Sequence, residues 1–158
     1  MNIRSAELGD ETIILDLIKE LADYEKLSHE VVATPEALRR TLFGTNPKAQ
    51  AIICEESKGN SVGFALYFYN YSTFLARPGL YLEDLYVKPE YRGKGYGVAL
   101  LKHLAGIAKA QDCGRMEWSV LKWNTPAIDF YKSIGATPME EWDTYRLTRE
   151  ALEKFADS

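Results

Sequence analysis

The sequence predicts a mixed α/β fold, in which a sheet with antiparallel hairpins and one βαβ crossover is covered by helices. Three observations carry that prediction. Two adjoining β-rich runs, Ala49 to Glu55 and Ser61 to Tyr71, are separated only by Lys58-Gly59-Asn60, which marks a hairpin. A glycine-dense loop leads from a strand into a helix, and another strand follows, which marks a crossover. No repeat, Pro/Ser-rich linker or shift of composition interrupts the chain, so residues 1–158 are expected to form one domain.

Taken in order, Asn2 to Ala6 reads as a short first strand. Ile13, Ile14, Leu17, Ile18 and Leu21 then recur at helical spacing, with Asp10 as the expected cap. Thr34-Pro35 reads as an N-cap followed by proline at the first helical position, and Gly44 stops that second helix. After the hairpin, Arg77-Pro78-Gly79 is expected to turn the chain into a strand from Leu80 to Val87. The next helix carries Leu100, Leu101, Leu104, Ile107 and Ala108 on its apolar face and ends at Asp112-Cys113-Gly114. Arg115 to Leu121 alternates as a strand, and Asn124-Thr125-Pro126 opens a short helix that Gly135 closes. Glu141 to Leu147 is expected as a last strand, and Thr148 as the cap of a terminal helix.

Composition excludes several classes. Hydrophobic residues make up 46% and charged residues 27%, as in an average soluble domain, which excludes disordered, collagen-like and low-complexity chains. With 19 basic and 23 acidic residues the formal charge is -4, the wrong sign for neutralising phosphates, so no nucleic-acid partner is expected. Cys54 and Cys113 stand far apart, with no CxxC, and His29 and His103 are the only histidines. No metal site and no disulfide framework is expected from these. Met1-Asn2-Ile3-Arg4 has no apolar signal core and no run approaches the length of a membrane span, so no membrane association and a cytoplasmic location are expected.

The strongest chemical signal is Tyr91-Arg92-Gly93-Lys94-Gly95-Tyr96-Gly97 between the Leu80 strand and its helix. Glycines at 93, 95 and 97 let backbone N–H groups crowd together and face outward, and the helix N-terminus adds its positive end. Arg92 and Lys94 add charge, so the loop suits a pyrophosphate. By spacing alone, a flexible turn fits the same glycines. Neither the P-loop pattern nor the GxGxxG dinucleotide fingerprint is present.

Arg92-Gly93-Lys94-Gly95-Tyr96-Gly97 matches the [QR]-x-x-G-x-[GA] signature of the GNAT superfamily of N-acetyltransferases, and the chain resembles that superfamily over nearly its whole length. Tyr81-Leu82-Glu83-Asp84-Leu85-Tyr86-Val87 is similar to its central strand. Trp123-Asn124, Ala127, Phe130-Tyr131 and Ile134-Gly135-Ala136 are similar to its second cofactor-contacting segment. Leu17-Ile18-Lys19-Glu20-Leu21-Ala22 and Tyr24-Glu25-Lys26-Leu27-Ser28 resemble the diamine (spermidine/spermine) and thialysine branch. The stretch Lys26-Leu27-Ser28-His29 is closer to the thialysine enzymes, because polyamine enzymes tend to be more acidic there.

The resemblance implies a central, mostly antiparallel twisted sheet with a βαβ cofactor-binding core. It also implies acetyl-CoA as cosubstrate, no metal, a small primary amine as acceptor, and a homodimer. Leu85, Tyr86, Val87, Arg92, Gly93, Lys94, Gly95, Tyr96, Gly97, Val98, Asn124, Ala127 and Tyr131 are then expected to hold acetyl-CoA. One backbone N–H, placed at Leu85, is expected to hold the acetyl carbonyl where the strand splays from its neighbour. Asn124 also reads simply as a helix N-cap.

Glu83 and Asp84 lie side by side in an apolar strand, so at least one of them heads inward unless a bulge intervenes. Glu83 matches the general base of this branch and Tyr131 the general acid. A primary amine has a pKa of about 10.4, so it arrives protonated and needs a carboxylate to take its proton. Tyr24, Glu25, Glu83 and Asp84 are expected to line the amine pocket, although Tyr24 and Glu25 also fit ordinary helix-end surface. Other readings are a protein or peptide N-acetyltransferase and a non-catalytic CoA-binding regulatory module.

Overall fold

The computed structural model describes residues 1–158, which form two compact units, Met1–Ser119 and Val120–Ser158. The first unit holds one sheet of five strands, β1 (Asn2–Ser5), β2 (Gln50–Ser57), β3 (Asn60–Ser72), β4 (Arg77–Val87) and β5 (Met116–Trp118), in that spatial order. Strands β1 to β4 pair antiparallel, and β5 joins β4 in parallel. Helices α1 (Glu11–Tyr24) and α2 (Pro35–Phe43) lie between β1 and β2 in the chain, and α3 (Tyr96–Ala110) makes the crossover from β4 to β5. This is the mixed, mostly antiparallel sheet with one βαβ unit that the sequence predicts.

Strand alternation gives the sheet two apolar faces. On one face Ala51, Ile53, Phe64 and Tyr86 pack with Ile14 and Leu17 of α1 and Leu42 of α2. Ile52, Cys54 and Ala65 point the other way and are buried, and α3 packs against β3 and β4 through Leu100, Leu101, Leu104 and Ala108. Burying one such aliphatic side chain is worth about 1.5–3 kcal/mol, so both helical layers are fixed by their apolar stripes.

Local signals hold in part. Thr34 Oγ1 accepts a 3.1 Å hydrogen bond from the Ala37 N–H, with Pro35 at the first helical position, as the sequence predicts. Asp10 sits at the N-cap of α1 but makes no side-chain cap. Arg4 takes its carboxylate instead, at 2.7 Å, and the Glu7 N–H donates to the same group at 2.8 Å.

Two expectations are corrected. Arg77-Pro78-Gly79 is not a turn: these residues pair with Ser72, Tyr71 and Asn70, and the chain reverses earlier, over residues 73–76. Pro78 is tolerated there because β5 pairs with β4 only from Leu80 onward, leaving the start of β4 at a sheet margin. Glu141 to Leu147 forms no strand, although Thr148 does precede helix α5 (Arg149–Ala156). A strand exists only as part of a ladder, and no segment pairs with these residues. Helix α4 (Thr125–Ser133) completes the second unit.

Candidate active site

The site begins where β4 and β5 part. Their pairing covers only Leu80–Met116, Tyr81–Glu117 and Leu82–Trp118. From Glu83 to Val87, β4 keeps β3 on one side and has no strand on the other, so its backbone groups on that side belong to no ladder. The N–H groups among them can donate to a ligand carbonyl.

A bulge stands at the same point. Leu66 pairs with Asp84 and Tyr67 with Leu82, which leaves Glu83 opposite no residue. The bulge resolves which acid goes inward: Glu83 is exposed and Asp84 half-buried. Asp84 shares its face with its partner Leu66 and with Tyr86, the face that α1 covers. Burial, reinforced by the charges of Glu83 and Glu25, pushes the Asp84 carboxyl up to about 6. Burial also raises Glu25, the residue that closes α1. Three predicted acids therefore gather at one place, where each cation admitted relieves their mutual repulsion.

After β4 the chain makes one 3₁₀ turn, Pro89–Tyr91, and enters the glycine loop. Gly93 has φ 74° and Gly95 φ 89°, left-handed values that favour glycine. A Cβ built on either, or on Gly97, meets no heavy atom within 4 Å, so the loop fronts open space. The first bond of α3 runs from the Ala99 N–H to the Gly95 carbonyl. The N–H groups at 96–98 precede that bond and remain available for an anion at the helix N-terminus. Loop shape, open front and helix end all fit a pyrophosphate such as that of acetyl-CoA. Lys94 lies 5.3 Å over the Tyr91 ring, and Val98 is exposed.

Tyr86, Val87 and Tyr96 are buried. The Tyr86 ring belongs to the core with Ile14 and Phe64, and Tyr96 meets Tyr91 edge-on at 6.0 Å. The part these residues can take toward a cofactor therefore falls mainly to their backbone. Cys54 is fully buried, which pushes its thiol up and keeps it from nucleophilic work.

Arg92 departs from a simple phosphate-binding arginine. Its guanidinium lies 4.8 Å from the Tyr24 ring centroid and 5.4 Å from that of Tyr86, and its Nε donates to the Val87 carbonyl at 2.9 Å. The partnership with Tyr24 was not legible in the sequence, because the two residues are distant in the chain and no spacing rule links them.

In the second unit, Asn124, Ala127 and Tyr131 are half-buried and fall on one side of α4 at helical spacing. Asn124 holds the N-cap position without a side-chain cap. Phe130 and Tyr131 meet at 5.9 Å, and Gly135, at φ 92°, closes the helix as expected.

Residues 16–136 match the acetyltransferase (GNAT) family, and the chain belongs to it. It is an N-acetyltransferase. The chain is 43% identical to the thialysine N-epsilon-acetyltransferase of Sus scrofa, over 98% of this chain and 96% of that protein. It is 34% identical to an L-ornithine N5-acetyltransferase of Arabidopsis thaliana, over 96% of this chain and 86% of that protein. Among solved structures, an integron cassette protein from V. cholerae superposes with TM-score 0.79 at 31% identity, over 99% of this chain and 98% of that one. Acetyl-CoA is the acetyl donor that acetyltransferases of this family use, and the glycine loop is suited to it.

Proposed function

We propose that this chain, as a single acetyltransferase domain over 1–158, moves the acetyl group of acetyl-CoA to the side-chain amine of a thialysine-, lysine- or ornithine-like amino acid, or of a diamine. The observation that carries the acceptor class is the acidic cluster of Glu25, Glu83 and Asp84 beside the parting of β4 and β5. A small cation is what such a cluster favours. The named relatives, which act on thialysine and ornithine, support the same choice.

Bound acetyl-CoA supplies a thioester carbonyl. The backbone of β4 at Leu85 holds that carbonyl and the negative charge that develops on it. Residues 93–98 cradle the pyrophosphate, and Asn124 and Ala127 flank the pantetheine arm. Asp84 and Glu25 attract the ammonium group, and Tyr24 lines the same pocket. Glu83, the exposed member of the bulge, takes the proton from the amine through water, so the neutral amine attacks directly. As the tetrahedral adduct collapses, Tyr131 gives its proton to the departing thiolate, and the second amine proton, shed as the amide forms, restores the phenol through solvent; a phenol with a pKa of about 10 matches that task. No acyl-enzyme forms, in keeping with the buried Cys54.

Tyr131→Phe is expected to lower turnover about 10²-fold or more while acetyl-CoA affinity stays within about twofold, measured by CoA release and by titration calorimetry. Unchanged turnover would remove Tyr131 from the mechanism.

We also place the enzyme in the cytoplasm as a homodimer. No helix is long and apolar enough to cross a membrane. Trp142, Tyr145 and Phe155 of the second unit are 78%, 92% and 73% exposed, an apolar load that a second copy would relieve.

The acceptor is tested by CoA release across thialysine, lysine, ornithine, putrescine, spermidine and short peptides. Turnover of a diamino acid or diamine is expected. Peptide-only turnover would point to protein acetylation, and binding of acetyl-CoA with no turnover would point to a regulatory module.

A further inference from the structure

We propose that Arg92 is a positioning residue that couples the amine end of the site to the acetyl-CoA loop through its stack on Tyr24. This rests on the assignment of Tyr24 to the amine pocket and of residues 93–98 to the cofactor. The first residue of the glycine signature would be expected to aim its charge at phosphate. Instead its guanidinium lies over the rings of Tyr24 and Tyr86, at 4.8 and 5.4 Å, and is fixed to the Val87 carbonyl at 2.9 Å. Tyr86 is an immobile base for the stack, being buried in the core with Ile14 and Phe64. Tyr24 is the outer part of the stack: it is the last residue of α1 and 41% exposed.

The two ends of the site are joined through neighbouring residues. Glu25, one residue past Tyr24, is the acid whose charge bears on Asp84. Arg92 is the residue before Gly93, where the loop begins its first left-handed turn. Anything that orders the end of α1, including an amine held by Glu25 and Asp84, presses Tyr24 onto Arg92 and steadies the loop. By linkage the reverse also holds, so bound acetyl-CoA steadies the amine pocket. Glu20 and Glu90, whose charges bear on Tyr86 beside Arg92, add attraction for the guanidinium. Lysine would keep the charge and lose the planar stack.

The test is direct acetyl-CoA binding by titration calorimetry, with no amine present. Tyr24→Ala, a change outside the loop, is expected to weaken acetyl-CoA binding about two- to fivefold, the strength of an exposed cation–π contact. Tyr24→Phe keeps the ring and should restore wild-type affinity. In an Arg92→Met background, Tyr24→Ala should have no further effect. Wild-type affinity in Tyr24→Ala, or additive losses in the double variant, would overturn the coupling. These readouts do not depend on which amine is acetylated. A wrong acceptor therefore leaves them intact, whereas a wild-type chain that fails to bind acetyl-CoA would fail the cofactor assignment itself.

Discussion

Gly95 and Gly97 stand two residues apart in the loop, yet their backbones make different demands. Gly95 has φ 89°, where an L side chain costs about 1–2 kcal/mol, while Gly97 lies inside α3 at an ordinary φ. The open space before both means that strain, not crowding, decides the outcome. Gly95→Ala should therefore lose about that much stability and weaken acetyl-CoA binding, whereas Gly97→Ala should be neutral in both. Thermal unfolding and titration of the two variants check this. The contrast also gives a physical reason why the signature accepts Gly or Ala at the last position and Gly alone at the earlier one. Asp84 carries the opposite tension. Its carboxyl is raised from 3.8 to about 6, so between those values the folded state holds a proton that the unfolded chain has released. Stability then falls as pH rises through that window, by on the order of 3 kcal/mol at most. Asp84→Asn should raise the unfolding midpoint above pH 6, leave it nearly unchanged below pH 4, and raise the amine KM at neutral pH. The cost of charging Asp84 is then offset only when a cation binds.

The end of α1 shows how an element presents its last residues. The Leu27 N–H donates to the Ala22 carbonyl at 2.8 Å and the Lys26 N–H to that of Asp23 at 3.0 Å, a Schellman closure with Lys26 at φ 62°. Helix α4 closes in the same way, but with Gly135 at the left-handed position. Lysine there stores strain beside Tyr24 and Glu25. Lys26→Gly should raise stability by up to about 1 kcal/mol, seen as a higher denaturant midpoint in equilibrium unfolding. Strand β4 shows a second element-level device. One bulged residue, Glu83, ends the regular pairing with β5 and sends Asp84 to the α1 face.

For the whole molecule, what was legible in the sequence followed from period and local chemistry. The apolar stripes of α1 and α3, the Thr34-Pro35 cap and the βαβ order could be read because each rests on neighbours within a few residues. The hairpin reversal was misplaced because Pro-Gly is a strong turn signal, yet Pro78 and Gly79 sit at a sheet margin that tolerates them. Glu141 to Leu147 alternates like a strand but has no ladder to join. The acidic cluster was foreseen in its members. Which acid turns inward was not, since that depends on one skipped register position. The Tyr24–Arg92 stack was invisible, being a contact between distant elements. The proposed acetylation of the side-chain nitrogen of a small diamino acceptor can be read on the product itself. Thialysine and acetyl-CoA would be incubated with the protein, and the product's acetyl position read by NMR. A single acetyl group on the side-chain nitrogen is expected, formed only with enzyme and lost in Glu83→Gln. Acetylation of the α-nitrogen, or no product from any diamino acceptor while a peptide is acetylated, would contradict it.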